Sequence, residues 1–95
     1  MATFISLCSF TEQGSRAIKE SPQRAEAFKA TAEKMGVTVR EMCWTVGAYD
    51  LVIVCEGREE AVHAALLKVA SLGNVRSETL RGYSAAEFSK LIAID

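Results

Sequence analysis

The apolar and polar positions of the chain follow two different periods in successive segments. Apolar residues at every second position are typical of strands, and apolar residues three or four positions apart are typical of helices. The predicted order is strand, helix, strand, strand, helix, strand and a short terminal helix. The predicted strands are residues 3–10, 37–46, 49–56 and 74–83, and the predicted helices are residues 21–35, 59–72 and a segment that begins after Ser84.

Local signals indicate where the helices begin and end. Ser21 offers a capping hydroxyl, and Pro22 then occupies the first helical position, where its missing N–H costs nothing. Gly36 and Gly73 follow the two main helices, as glycine commonly does at a helix end. Residues 84–87 read S-A-A-E, which predicts a capping box at the start of the terminal helix.

Two residues, Gly47 and Ala48, separate the second and third predicted strands. Glycine at the first central position of a two-residue loop is typical of a type II′ turn, whose twist matches that of the flanking strands. The sequence G-A-Y-D therefore predicts a tight hairpin with Tyr49 and Asp50 at its mouth.

The element order is that of the ferredoxin-like βαββαβ fold, an α+β class, here with a C-terminal helix. We expect residues 1–95 to form one such domain. Right-handed crossovers place both main helices on one face of a four-stranded sheet. The predicted architecture is therefore one helical layer on one sheet, with the second sheet face uncovered.

The uncovered sheet face is predicted to be apolar. Residues 51–55 are apolar at every position, and the first strand places Ile5 and Leu7 on one side and Phe4 and Cys8 on the other. A solvated sheet face would alternate between apolar and polar residues instead. We expect this face to pack on a second copy, which gives a homodimer of the dimeric α/β-barrel type or a higher homo-oligomer.

Composition narrows the class of protein. Apolar residues make up 49% of the 95, and 11 basic residues face 12 acidic ones, which argues against disorder and against nucleic-acid binding. No apolar run approaches the roughly 20 residues that span a bilayer, and the N-terminus does not resemble a secretory signal. Three unpaired cysteines fit a reducing compartment. We expect a cytoplasmic protein with no nucleic-acid or membrane partner.

Signatures of metal sites, phosphate loops, dinucleotide folds and nucleophile elbows are absent from the sequence. The only histidine, His63, follows two glutamates on a predicted helix and reads as a solvated residue. We expect no metal and no cofactor. Cofactor-free chemistry in a cavity stays open.

Two groups of residues are candidates for binding a ligand. Asp50 beside Tyr49 could orient a polar ligand or act as a base, or it could instead accept amide hydrogens of the turn. Arg81 could bind a carboxylate with two hydrogen bonds, or it could form an inter-strand or inter-subunit ion pair with Asp50 or Glu41. Arg81 shares one face of its strand with a polar set that could line a small cavity: Ser77, Thr79 and Tyr83. Trp44 is expected in the core of the barrel.

Four stretches of the chain together resemble the GYD-domain family, small bacterial and archaeal proteins named after the hairpin motif. The stretches are MATFISLCSFTEQG, KESPQRAEAF, WTVGAYDLVIV and SLGNVRSETLRGY. In this chain Ala48 lies between Gly47 and Tyr49, so the motif is G-x-Y-D. The resemblance implies a fold and not a reaction.

A weaker resemblance is to the effector-binding domain of Lrp/AsnC-type regulators, which share a G-x-[YF]-D hairpin and a G-V-x-x-[ST]-x-T strand. Here that strand spans residues 73–79, with Asn74 inserted. The resemblance implies a small-molecule site between dimers, at Gly47, Tyr49, Asp50 and Thr79. The helix-turn-helix that precedes such domains is missing, so DNA regulation does not transfer.

Two functions fit these observations. The first is an oligomeric small-molecule-binding or assembly module without enzymatic activity. The alternative is a cofactor-independent dimeric α/β-barrel enzyme, similar to a monooxygenase or isomerase, that acts on a small aromatic or quinone-like substrate near Arg81, Tyr83, Trp44 or His63. An enclosed cavity beyond about 300 Å³ per subunit with converging polar groups would favour the enzyme, and a filled core with polar clefts between subunits would favour the binding module. The candidate ligand-binding residues are Gly47, Tyr49, Asp50, Thr79, Arg81 and Tyr83.

Overall fold

The two strands that are most apolar on both faces lie at the centre of the sheet. A computed structural model describes residues 1–94, and its strands are β1 Ala2–Phe10, β2 Thr38–Trp44, β3 Leu51–Gly57 and β4 Val75–Gly82. The strand order is β2-β3-β1-β4, with every neighbouring pair antiparallel. The helices are α1 Glu12–Arg16, α2 Ser21–Lys34, α3 Glu59–Ala70 and α4 Ala85–Ile92, with a 3-10 turn at Ile18–Glu20.

The hydrophobic core lies between one face of the sheet and helices α2 and α3. Alternate residues of β1 and β3 are buried there, and they meet the apolar faces of the two helices. Burying one such large side chain contributes roughly 1.5–3 kcal/mol to folding. The predicted ferredoxin-like α+β fold is confirmed. The larger members of the core are Phe4, Phe28, Val37, Leu51, Ile53, Val62 and Leu66.

The predicted C-terminal ends of the helices and the predicted capping box are confirmed. Gly36 and Gly73 have φ angles of 79° and 83°, which glycine adopts without strain. The Ser84 hydroxyl accepts a hydrogen bond from the Glu87 amide at 3.1 Å, and the Glu87 carboxylate accepts one from the Ser84 amide at 2.8 Å. That amide bond lowers the pKa of Glu87 below its ordinary value. These two hydrogen bonds cap the first turn of α4.

Ser21 does not cap α2, contrary to the sequence-based prediction. The helix continues directly from the 3-10 turn, so Glu20 takes the cap position and Ser21 is the first helical residue. The Ser21 hydroxyl instead accepts a hydrogen bond from the Trp44 indole at 2.9 Å. Trp44, expected in the core, is 44% exposed in the single chain because it lies at the end of the edge strand β2.

The predicted two-residue hairpin between β2 and β3 is wrong. Residues 45–50 form a longer loop, closed by a hydrogen bond of 2.9 Å from the Thr45 amide to the Asp50 carbonyl. Gly47 has a φ of 153°, far from the roughly 60° of a type II′ turn. The physical reason is that Asp50 bonds to β1, where its amide donates to the Cys8 carbonyl at 2.8 Å. Tyr49 therefore lies in the loop and not in the strand.

Among residues 1–94, no helix combines the length and the apolar character that crossing a membrane requires.

Candidate functional site

The Asp50 side chain holds the end of β1. Its carboxylate accepts a hydrogen bond of 2.8 Å from the Phe10 amide, while the Asp50 amide donates to β1 two residues earlier. The loop before it is also tied down, because the Thr45 hydroxyl donates to the Tyr49 carbonyl. This geometry gives the acidic residue at position 50 a structural role. A ligand-binding role for Asp50 stays a prediction.

Tyr49 lies close to the middle of β4. Its hydroxyl is 3.4 Å from the Glu78 carboxylate, a long contact at the protein surface. Gly47, at the tip of the same loop, has open space around its α-carbon. The loop thus presents Gly47 and Tyr49 as accessible groups, and neither touches the Phe10 amide that the Asp50 carboxylate binds.

Arg81 lies on the helical face of the sheet near the C-terminal end of β4. Its guanidinium lies 4.2 Å from the centre of the Tyr83 ring and 5.6 Å from that of Phe4, and it donates to the Gly82 carbonyl. Neither of the two predicted ion pairs, with Asp50 or Glu41, forms within residues 1–94. Arg81 and Tyr83 form a cation–π pair at this edge of the sheet.

Thr79 lies midway along β4. Its hydroxyl shares a hydrogen bond of 3.0 Å with Ser6, a buried polar residue of β1. In the register of the sheet, Arg81 pairs with Phe4 while Asp50 bonds to Cys8, so the two clusters are separated by four residues of β1, about 13 Å. The six candidate residues therefore do not converge on one site.

His63 contacts the core residue Phe4, and two of the three cysteines, Cys8 and Cys55, are buried. The His63 ring is exposed and lies edge-on to Phe4 with the ring centres 5.5 Å apart. Burial raises the pKa of the Cys8 and Cys55 thiols from 9.0 to about 11, so both are protonated and weakly nucleophilic at neutral pH. In the described part of the chain, no three His, Cys, Asp or Glu side chains gather as metal ligands.

A cavity of about 400 Å³ lies between the two main helices and the sheet. Of the predicted polar face of β4, only Ser77 lines it. Arg81, Tyr83, Trp44 and His63, which the enzymatic alternative places at a substrate, do not. The rest of the lining is largely apolar, and its charged members are Arg24 and Lys68. The cavity therefore does not bring together the residues that the enzymatic alternative requires. The sequence does not predict this cavity, because its lining comes from five elements that are far apart in the chain: β1, α2, β3, α3 and β4.

The helix-free face of the sheet, called the open face below, has an apolar centre. Cross-strand neighbours share a face, and Cys43, Val52 and Leu7 form one row across β2, β3 and β1. Val54, Ile5 and Leu80 form the next row, across β3, β1 and β4. Leu80 is 49% exposed and the four central residues are half-buried. The open face thus consists of Ile5, Leu7, Cys43, Val52, Val54 and Leu80.

A second apolar surface lies on α4. Phe88, Leu91 and Ile92, called the α4 stripe below, are spaced i, i+3 and i+4 on one side of the helix, and they are 53%, 42% and 68% exposed. Within residues 1–94, α4 packs closely against no other element. Sequence reasoning identified the helix but not that its apolar side lacks a partner.

Comparisons with known proteins agree with this architecture. A family model described as GYD domain matches residues 4–92. A Thermus thermophilus protein named "Glutamine synthetase and cystathionine beta-lyase binding protein" is 34% identical over 89 residues, which cover 92% of this chain and 94% of that protein. Family and relative together support a small binding or assembly module, and the enzymatic alternative is not favoured.

One solved structure shows the same fold at low sequence identity. Part of a homoserine dehydrogenase from Thiobacillus denitrificans superposes with a TM-score of 0.56 at 17% identity, over 84% of this chain and 16% of that chain. The C-terminal domain of the MgtC protein from Mycobacterium tuberculosis gives a TM-score of 0.43 at 9% identity, over 88% and 89% of the two chains. The first likeness shows the fold alone, and the second is too distant to support an argument.

Replacing Asp50 by alanine tests its structural role. The substitution Asp50→Ala leaves the Phe10 amide without its charged acceptor, and we expect the free energy of unfolding to fall by about 1.5–3 kcal/mol. Asp50→Asn keeps an oxygen acceptor and should lose less. Tyr49→Phe removes only the long contact to Glu78 and serves as the control, with a change below about 0.5 kcal/mol. Urea denaturation at one protein concentration measures all three, and an unchanged Asp50→Ala variant would contradict the assignment.

Proposed function

Because this chain belongs to the GYD-domain family, we propose that it is a non-enzymatic assembly module: a homodimer that binds a protein partner. The observation that carries the proposal is that one small chain leaves two separate apolar surfaces uncovered, the open face and the α4 stripe. Exposed apolar patches of this kind mark interaction sites in folded proteins.

The exposed area of the chain supports a contact between two copies. Its accessible surface is 6269 Å², whereas a compact monomer of its mass exposes about 5,400 Å², so roughly 900 Å² is in excess. A standard stable interface buries about 800 Å² on each partner. The radius of gyration is 14.3 Å, whereas a compact chain of this length has about 12 Å. This value also shows that the single chain is less compact than a typical monomer.

The charges around the open face are compatible with a two-fold contact. Its apolar centre is bordered by charges of both signs, with Arg76 and Glu78 on β4 and Glu41 on β2. Arg40 donates to the Glu56 carboxylate at 2.7 Å on the same border. In a two-fold contact a surface meets itself, so a border of mixed sign can place opposite charges against each other. We assign the open face to the second copy.

The α4 stripe is assigned to the protein partner. An amphipathic helix that presents apolar anchors at i, i+3 and i+4 is a common way to dock into an apolar groove of another protein. The Thermus thermophilus relative is named for binding glutamine synthetase and cystathionine beta-lyase. We propose that this chain also binds an enzyme and that it does so through the α4 stripe. Glutamine synthetase and cystathionine beta-lyase from its own organism are the first candidates.

The dimer is tested by a pair of identical substitutions. Val54→Glu places a charge at the centre of the open face, and Val46→Glu places the same charge in the exposed loop between β2 and β3. Light scattering after size exclusion at micromolar concentration should give about twice 10.3 kDa for the unmodified chain and for Val46→Glu, and about 10.3 kDa for Val54→Glu. A monomeric unmodified chain, or a Val54→Glu variant that stays dimeric, would refute the assignment of the open face.

Partner binding is tested with the two purified enzymes. We expect the immobilised chain to bind at least one of them, and Phe88→Ala to weaken binding by a factor of about 10 or more, because large aromatic anchors are common hot spots. Lys90→Ala, on the polar side of α4, is the matched control and should change affinity less than about threefold. If neither enzyme binds, or if both variants bind like the unmodified chain, the proposed partner or its docking helix is wrong.

A further inference from the structure

The cavity between the helices and the sheet, called the helix-side cavity below, exists because small residues meet there. Cys8 and Ser77 are paired across β1 and β4 at its floor, and Ala25 of α2 faces them. Leucine or phenylalanine at these positions would fill the space that the two helices leave between them. Larger apolar side chains complete the lining on both sides: Phe28, Leu51, Ile53, Leu66 and Val69.

The helix-side cavity is mostly apolar, and two of the polar side chains that line it are already engaged. The Ser21 hydroxyl is bonded to the Trp44 indole, and the Asn74 side-chain oxygen accepts from Gln13 at 2.9 Å. The raised pKa of the Cys8 thiol reports that this floor disfavours a charge. An apolar group is therefore the natural occupant of the floor.

The charged residues that line the cavity are both cations, Arg24 of α2 and Lys68 of α3, and no aspartate or glutamate lines it. Within residues 1–94 neither cation takes part in an ion pair. Arg24 donates to the Ala17 carbonyl at 2.8 Å and to the Gly14 carbonyl at 3.5 Å, so its guanidinium is held in place while other N–H groups remain. The chain as a whole has a net charge of −1, so this positive pair is a local feature.

We propose that the helix-side cavity binds a small amphipathic carboxylate, with its apolar tail on the floor and its carboxylate at Arg24 and Lys68. The size agrees: the cavity of about 400 Å³ is more than twice the roughly 150 Å³ that holds a benzene molecule in a protein core, so a chain of about eight carbons fits. This site goes beyond the assembly function, because it requires neither the second copy nor the protein partner.

The first experiment uses the unmodified chain and three probes: octanoate, octan-1-ol and acetate. Octanoate offers both tail and charge, so calorimetric titration should show it binding about 10-fold more tightly than octan-1-ol, since a charged hydrogen bond is lost with the alcohol. Acetate should not bind measurably. Methyl NMR locates the ligand, because Ile53 lines the cavity whereas Ile5 lies on the open face. The Ile53 signal should shift with octanoate and the Ile5 signal should not.

Two matched pairs of variants test the site itself. Ala27 lines the cavity and Ala30 does not, although both are exposed on α2, so Ala27→Trp should weaken octanoate binding at least 10-fold and Ala30→Trp should leave it unchanged. Lys68→Gln should weaken it about threefold and Lys34→Gln, in the last turn of α2, should not. Both pairs are at exposed positions, and circular dichroism confirms that each variant is folded.

Several results would overturn the proposal. Equal affinity for octanoate and octan-1-ol would remove the role of the two cations. A shift of Ile5 in place of Ile53, or equal loss in both tryptophan variants, would place the ligand elsewhere. If octanoate binds only the Phe88→Ala variant, the apolar side of α4 occupies the cavity in the unmodified chain. That result would also contradict a small-molecule site. None of these results depends on the mass of the assembly or on enzyme binding.

Discussion

The antiparallel pair of β1 and β3 is apolar on both faces, and the fold supplies helices for only one of them. Phe4, Leu51 and Ile53 meet α2 and α3, whereas Ile5, Leu7 and Val54 lie on the face without these helices and are half-buried within the described chain. The connections between strands force this result, because right-handed crossovers carry both helices to the same side. The uncovered apolar face is the constraint from which the proposed dimer follows.

The helical face of the sheet is also covered incompletely, because only two of the described helices lie on it. Two helices cover the central strands and leave the edge strand β2 less protected, so Trp44 remains half-exposed. The helix-side cavity lies below the same helical layer, at the place where small residues of β1, β4 and α2 meet. The α4 stripe adds a further apolar surface, since α4 packs closely against no other described element. Each of these features is suited to binding, and none brings together the residues that the enzymatic alternative places at a substrate.

Periodicity and capping signals were sufficient to predict the element order, the sheet faces and most helix ends. Gly36, Gly73 and the Ser84–Glu87 box act locally, so the sequence around them determines their structure. The loop before Asp50 could not be predicted in the same way, because its shape depends on a bond to Phe10, forty residues earlier in the chain. Ser21 was misread for the same reason, since its hydroxyl is used by Trp44. The candidate ligand residues were chosen from local motifs, and tertiary contacts separate them into two clusters.

The reactivity of a single thiol tests the central claim most directly. Cys43 is exposed in the single chain and lies in the open face beside Val52, whereas Cys8 and Cys55 are buried with pKa values raised to about 11. Only Cys43 should therefore react quickly with a thiol reagent at neutral pH. If the open face packs on a second copy, the rate at Cys43 falls well below that of a free thiol at micromolar concentration and rises as the protein is diluted. A rate equal to that of an unstructured peptide and independent of concentration would contradict the account.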